Sequence, residues 1–252
     1  MKPKKSLGQN FLISTRVSNM IAKAGDIVAG ETVVEIGPGK GALTKELLEA
    51  GAHVIAIEKD ESLIDTLGHK FIREIDDKKL EIIVGDALAD IELPEKYKLI
   101  ANIPYYITGA IIEKFLGSKN PPTLSVLMVQ KEVADRIVAR NRKESILSIS
   151  VKIFGTPSIV MRVARGNFFP IPNVDSAVLK IEDIKNPFAS KKEEGNFFTL
   201  VKKGFAHKRK KLSSNLELSP NQTIAANIPN NARAEDMHIE FWKNLSEKVS
   251  VD

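Results

Sequence analysis

Short apolar runs alternate with amphipathic stretches along the first two-thirds of the chain. Thr32–Gly37, His53–Glu58, Leu80–Gly85, Tyr97–Ala101 and Leu124–Val129 are brief and rich in aliphatic residues, as strands buried on both faces are. Ala42–Ala50, Ser62–Phe71, Gly109–Leu116 and Lys131–Ala139 carry helical spacing between or after them, and Gly51 supplies a C-cap for the first. Strands alternating with helices of this length predict a parallel sheet covered on both faces. A further helical pattern spans Ser145–Ile153. Ser158–Val163 and Ser176–Ile181 then follow as β-like runs with no helix between them, which predicts an antiparallel hairpin at one edge of the sheet. The expected class is α/β, a Rossmann-like sheet with an antiparallel edge.

The composition shifts at Asp183–Gly195, which is charged and contains Pro187. The boundary is expected there, giving a sheet domain over residues 1–184 and a small all-α domain over 185–252. In the second, helices are expected over Phe197–Ala206, Arg209–Leu216, a segment near Gln222–Asn227, and Ile239–Val249.

The chain has 252 residues and no cysteine. Disulfides, thiolate zinc sites and iron–sulfur clusters are therefore excluded, and with them radical chemistry that needs a cysteine-held cluster. No apolar run approaches the roughly 18 residues of a membrane helix. The basic start Met1-Lys2-Pro3-Lys4-Lys5-Ser6 is followed by no apolar h-region, so a cytoplasmic protein is expected. Net charge is +5, and Lys202–Lys211 holds six Lys or Arg in ten residues. Basic clusters toward both ends suggest a polyanionic partner; the other reading is a solvated face or tail. His53, His69 and His238 follow no ligand spacing, so no metal site is expected.

Gly37-Pro38-Gly39-Lys40-Gly41 closes the first strand. Glycines there permit positive φ and close ligand approach, and the following helix presents its N-terminal amides. The spacing is G-x-G-x-G, one residue short of the dinucleotide fingerprint, and Glu35 stands just before it. This suits an amino-acid-bearing cofactor better than a pyrophosphate. Glu58 ends the second strand, about twenty residues on, where a carboxylate can accept both ribose hydroxyls; the alternative is a plain surface glutamate. Asp86 follows the third strand and can accept from an adenine amine, or it can simply make an Asx turn or N-cap.

Asn102-Ile103-Pro104-Tyr105 ends the fourth strand at the same crevice. The lone pair of an adenine amine is delocalised into its ring, so the amine is a poor nucleophile. The Asn102 side-chain oxygen and a nearby carbonyl can accept from it and favour a pyramidal nitrogen. Pro104 stiffens the turn, and Tyr105 can stack on the base. These elements together suggest methyl transfer to an exocyclic adenine amine by polar displacement. Phe168-Phe169-Pro170-Ile171-Pro172 could supply a second aromatic face, or could be a packed loop.

At this point the sequence resembles a known family, the ribosomal RNA adenine N6-methyltransferases. The resemblance rests on Gly8-Gln9-Asn10-Phe11-Leu12, the Glu35–Gly41 turn, Asn102–Tyr105, Val129–Ala134, Phe168–Pro172 with Val174–Ala177, and Phe205–Leu212. The last stretch, Val174–Ala177 and Arg233-Ala234-Glu235 look like the small-subunit, kasugamycin-resistance branch of dimethyltransferases. The resemblance implies S-adenosyl-L-methionine as cofactor. Asn10 and Leu12 would close over it; Gly37 would meet its amino-acid part, Glu58 its ribose and Asp86 its adenine, with Gly39 also binding the cofactor. Asn102 would bind its methionine end and the target amine. Tyr105 and Phe168 would sandwich the target base, and Lys208, Arg209, Lys210 and Lys211 would grip rRNA phosphates. The implied partner is small-subunit rRNA or its ribosomal precursor, met by a monomer. The macrolide-resistance branch, acting on large-subunit rRNA, and a non-catalytic RNA-binding assembly or transcription factor are the rivals.

Overall fold

The computed structural model describes Lys4 and Gly8–Val249. The basic group at the N-terminus, Lys4 apart, lies outside the described residues. In chain order the strands are β1 (Phe11–Leu12), β2 (Thr32–Ile36), β3 (His53–Glu58), β4 (Leu80–Val84), β5 (Lys98–Asn102), β6 (Leu124–Gln130), β7 (Thr156–Val163), β8 (Phe168–Phe169) and β9 (Ser176–Glu182). The helices are α1 (Thr15–Ala24), α2 (Ala42–Glu49), α3 (Glu61–Lys70), α4 (Ile72–Asp76), α5 (Thr108–Leu116), α6 (Lys131–Ile137), α7 (Ile146–Lys152), α8 (Lys191–Gly204), α9 (Leu212–Asn215), α10 (Pro220–Ala225) and α11 (Ile239–Lys248).

Seven strands form one sheet in the order β4-β3-β2-β5-β6-β9-β7. The first five run parallel, while β9 is antiparallel to both β6 and β7, as the hairpin pattern predicts. The central strands are buried along nearly their whole length because helices cover both faces. Val33, Val54, Ile100, Val126, Met128 and Val178 knit them into one core. Helix α2 ends as its sequence implies, with Gly51 at φ 89° just past the cap residue Ala50.

Two N-terminal elements carried no clear signal. Strand β1 is two residues long and exists only by pairing with β8, Phe11 opposite Phe169 and Leu12 opposite Phe168. Helix α1 is capped by Ser14, whose hydroxyl accepts from Val17 N, and buries only Val17, Ser18, Ile21 and Ala22. Its polar composition hid a stripe that long-range packing against the core makes helical.

The chain divides into two compact units. One holds the residues up to Ala134 together with Gly155–Lys185; the other holds Asp135–Phe154 and the residues from Asn186 on. The sequence placed residues 135–154 in the sheet domain, whereas their contacts lie in the helical unit. The cause is packing between segments distant in sequence. The Phe154 ring meets Phe188 at 6.1 Å and Phe198 at 6.2 Å, and Glu144 N donates to Glu235 O at 2.7 Å. Elsewhere in this unit Trp242 is fully buried and stacks on Phe205 at 5.5 Å. The expected Arg209–Leu216 helix is confined to α9. Its basic residues instead form a turn, where Asn215 Nδ2 donates to the carbonyls of Gly204 and His207 at 2.6 and 3.1 Å.

Candidate active site

Strand order reverses between β2 and β5, and the crevice beyond their carboxyl ends is where ligands bind in such sheets. The Gly37–Gly41 turn leaves β2 there, Glu58 ends β3, Gly85-Asp86 follows β4, and Asn102 ends β5. With the Gly8–Leu12 segment these residues line a cavity of about 280 Å³. Asn10, Leu12, Gly37, Gly39, Glu58, Asp86, Asn102 and Tyr105 are thus brought together. Lys208–Lys211 belong to the other unit and do not line it.

The glycine turn is a wall made of backbone. Gly37 has φ 65°, and a Cβ built on it would meet nothing nearer than Pro104 Cδ at 4.0 Å. A ligand can therefore approach the main chain here as no side chain would allow. Glu58 is buried; its Oε2 accepts from Gly39 N at 3.1 Å and its Oε1 from Asp60 N at 2.8 Å. Burial raises its pKa, and these backbone bonds pull the other way.

Behind the turn, Glu35 is also buried, and its Oε2 accepts from Thr44 Oγ1 at 2.6 Å. Burial pushes this carboxyl up from 4.5 to about 8, against the Thr44 hydrogen bond and with help from the Glu58 charge. Below pH 4.5 both folded and unfolded chains carry the proton. Between there and about 8 the unfolded chain releases it while the folded chain keeps it, so stability falls as pH rises through that window. Glu35→Gln keeps an acceptor for Thr44 but does not titrate. Its thermal midpoint should therefore drop less than that of the wild type between pH 5 and pH 8. Superimposable midpoint-against-pH curves for the two proteins would refute the assignment.

Asp86 makes the Asx turn, with Oδ1 accepting from Leu88 N at 2.9 Å, and still faces the cavity. Its Oδ2 pairs with Lys59 Nζ at 2.8 Å, and that bond holds its pKa below the ordinary value. Asn102 is half-buried. Its Nδ2 donates to Asn10 O at 3.5 Å, and no donor reaches Oδ1 among the described residues. Tyr105 follows Pro104 on a 3₁₀ turn; its hydroxyl shares a hydrogen with Ser176 Oγ at 2.6 Å, and burial raises its pKa.

Phe168 is a correction. It is 1% exposed, packed in the core beside Leu12 and Val178, and does not line the cavity. Strand alternation turns adjacent side chains to opposite faces, so in β8 one ring goes inward and the other, Phe169, stands 55% exposed. Phe11, Lys59 and Tyr106 line the cavity without having been singled out. Phe11 lies inside the Gly8–Leu12 motif and Tyr106 beside Asn102–Tyr105, while Lys59 had no signal of its own.

The model of the family described as "Ribosomal RNA adenine dimethylase" matches residues 1–250. The chain belongs to this family. A "Ribosomal RNA small subunit methyltransferase A" of Dehalococcoides mccartyi (strain CBDB1) is 42% identical over 258 residues, covering 97% of this chain and 88% of that protein. Among solved structures, a dimethyladenosine transferase from Plasmodium falciparum superposes with a TM-score of 0.79 at 26% identity, covering 93% of this chain and 95% of that one. The 23S rRNA methyltransferase ErmE does so with 0.78 at 25% identity, covering 95% and 99%. The dimethylase uses S-adenosyl-L-methionine as cofactor. The cavity suits that molecule. Its backbone-walled cradle at Gly37 would be filled by any side chain there, and acceptors at Glu58, Asp86 and Asn102 match a ligand rich in hydroxyl and amine donors.

Proposed function

We propose that the dimethylase modifies the N6 amines of two adjacent adenosines near the 3′ end of small-subunit rRNA, within a small-subunit precursor. Its relative named for the small subunit is 42% identical, whereas the large-subunit enzyme ErmE is 25% identical. The observation that carries the chemistry is the Asn102 amide. Its Nδ2 is turned toward Asn10 O, and its Oδ1 has no protein donor among the described residues. That oxygen is left to accept from the target amine.

In this reading Glu58 accepts from the ribose hydroxyls, Asp86 from the adenine amine, and the Gly37–Gly39 backbone takes the amino-acid end. Asn10 and Leu12 close the cavity from the N-terminal side. When bound, the cofactor supplies an electrophilic methyl group on a sulfonium. Asn102 orients the amine so that its lone pair points at that carbon, and the Tyr105 ring, anchored through Ser176, holds the base flat. Asn102 removes no proton; the alkylated amine is acidic enough to lose one to water. Catalysis is thus chiefly orientation, for which roughly 7–11 kcal/mol is available in the best cases. The monomethylated amine keeps one N–H, so the same neutral acceptor serves the second transfer. With Phe168 in the core, one aromatic face is assigned, not two.

Lys208–Lys211 are all exposed, and none has an ion-pair partner among the described residues. We assign them to rRNA phosphates. Changing all four to alanine should weaken rRNA binding, and the salt slope of log K should shrink by about 0.7–0.9 for each phosphate that is no longer neutralised. An unaltered slope would make the turn a bystander. The reading also includes a cytoplasmic, monomeric enzyme; no described helix is long and apolar enough to cross a membrane.

The deciding experiment incubates the protein with unmodified small subunits, or with large subunits, and labelled cofactor, then maps methyl groups by mass. Two neighbouring dimethyladenosines in small-subunit rRNA are expected. Methylation of large-subunit rRNA alone would support the other branch, and none on either would leave an RNA-binding factor.

A further inference from the structure

We propose that Asp60, which does not line the cavity, is a positioning residue for the cofactor: it clasps the N-terminal wall to the carboxylate of Glu58. The proposal rests on the reading that this cavity takes S-adenosylmethionine.

Asp60 follows Glu58 by two residues, and its side chain is 2% exposed. As the N-cap of α3 it accepts from Ser62 N at 3.1 Å, which is all that capping requires. It takes three further donors. Ser62 Oγ and Lys4 Nζ bond Oδ1 at 2.5 and 2.6 Å, and Gln9 Nε2 bonds Oδ2 at 2.7 Å. Gln9 in turn accepts from Lys4 N through Oε1 at 2.7 Å. A buried carboxylate that takes two of its four donors from a distant part of the chain is a strong tie, because charge-assisted bonds are about twice as strong as neutral ones.

The main chain of the same residue acts on the site. Asp60 N donates to Glu58 Oε1, while Gly39 N donates to Glu58 Oε2. A continuous run of hydrogen bonds therefore leads from Gln9 through Asp60 and Glu58 to the glycine turn. Gln9, Glu58 and Gly39 all line the cavity. The Gly8–Leu12 wall is held downstream by the β1–β8 pair and by Asn102 Nδ2 on Asn10 O; Asp60 holds it upstream. A ligand in this cavity lies against the Gly8–Leu12 wall, and the Gln9–Asp60 bond keeps that wall in place.

Two variants separate the clasp from the cap. Gln9→Ala removes the donor and leaves α3 untouched. Asp60→Asn preserves an N-cap of equal quality but offers one acceptor oxygen in place of two. Release of labelled S-adenosylmethionine from the full-length protein should be about 10-fold faster in each, the scale of one hydrogen bond to a charged group. The double variant should be no faster than Asp60→Asn alone, since the Gln9 bond is already broken there. Amide exchange of residues 8–12 in the cofactor-free protein should rise in both, while exchange within α3 of Gln9→Ala stays at the wild-type level. Normal binding by the wild type with unaltered release and exchange in Gln9→Ala would overturn the clasp alone. A wild type that does not bind S-adenosylmethionine would overturn the site reading and the clasp together.

Discussion

Replacing Asn102 with alanine is expected to lower kcat by about 10²–10³-fold, the cost of losing one preorganised hydrogen-bond partner in a catalytic site. Cofactor affinity should stay within about an order of magnitude, because a single uncharged hydrogen bond contributes about 0.5–1.5 kcal/mol. The two effects separate because of where the side chain sits. Asn102 closes β5 with its Nδ2 directed at Asn10 O and its Oδ1 unpartnered among the described residues. The cradle at Gly37 and the acceptors at Glu58 and Asp86 belong to other strand ends and survive the change. Single-turnover methylation of rRNA, together with equilibrium binding of S-adenosylmethionine, measures both quantities. Turnover within a factor of a few of wild type would remove Asn102 from the mechanism.

Gly41→Ala is expected to destabilise the protein by about 2–4 kcal/mol. Gly41 is the N-cap of α2 at φ 70°, a conformation that costs an L-residue about 1–2 kcal/mol. Its new Cβ would also collide with Phe71 Cε2, and would lie 2.8 Å from Phe71 Cζ and 3.1 Å from Leu67 Cδ2. Both neighbours are core residues, 4% and 1% exposed, so neither can swing into solvent, and overpacking of this kind costs about 1–3 kcal/mol. Lys70 Nζ further pins the turn by donating to Lys40 O and Gly41 O at 2.8 and 3.0 Å. Gly37→Ala is the control: it has a similar φ but open space around the added methyl, so its cost should be confined to the backbone strain. Urea denaturation midpoints of the two variants test the contrast. Equal losses would show that the collision is relieved and that φ alone matters.

The sheet was legible because its strands are continuous apolar runs whose burial leaves little choice of structure. Once those runs are ordered, Gly37, Glu58, Asp86 and Asn102 fall at strand ends that open on one crevice. Phe168 shows where such reading stops. Two adjacent phenylalanines are chemically identical, and which one turns inward depends on the pairing of β8 with β1, a two-residue strand with no periodicity to detect. Asp60 is a second case. Its partners Gln9 and Lys4 lie 51 and 56 residues away, and in the sequence it is only an ordinary cap. Residues 135–154 are a third. Their pattern predicts a helix correctly, but the aromatic contacts that draw them to the second unit are made with rings beyond residue 185.

One of the two outer strands, β7, ends the sheet in a particular way. It carries Pro157, which has no N–H to offer, and its register against β9 slips between Ile159 and Met161, leaving Val160 out of step and 42% exposed. Proline and bulges are the devices by which natural edges refuse further pairing. A second copy of the chain approaching along β7 thus meets a ragged border instead of a template for aggregation.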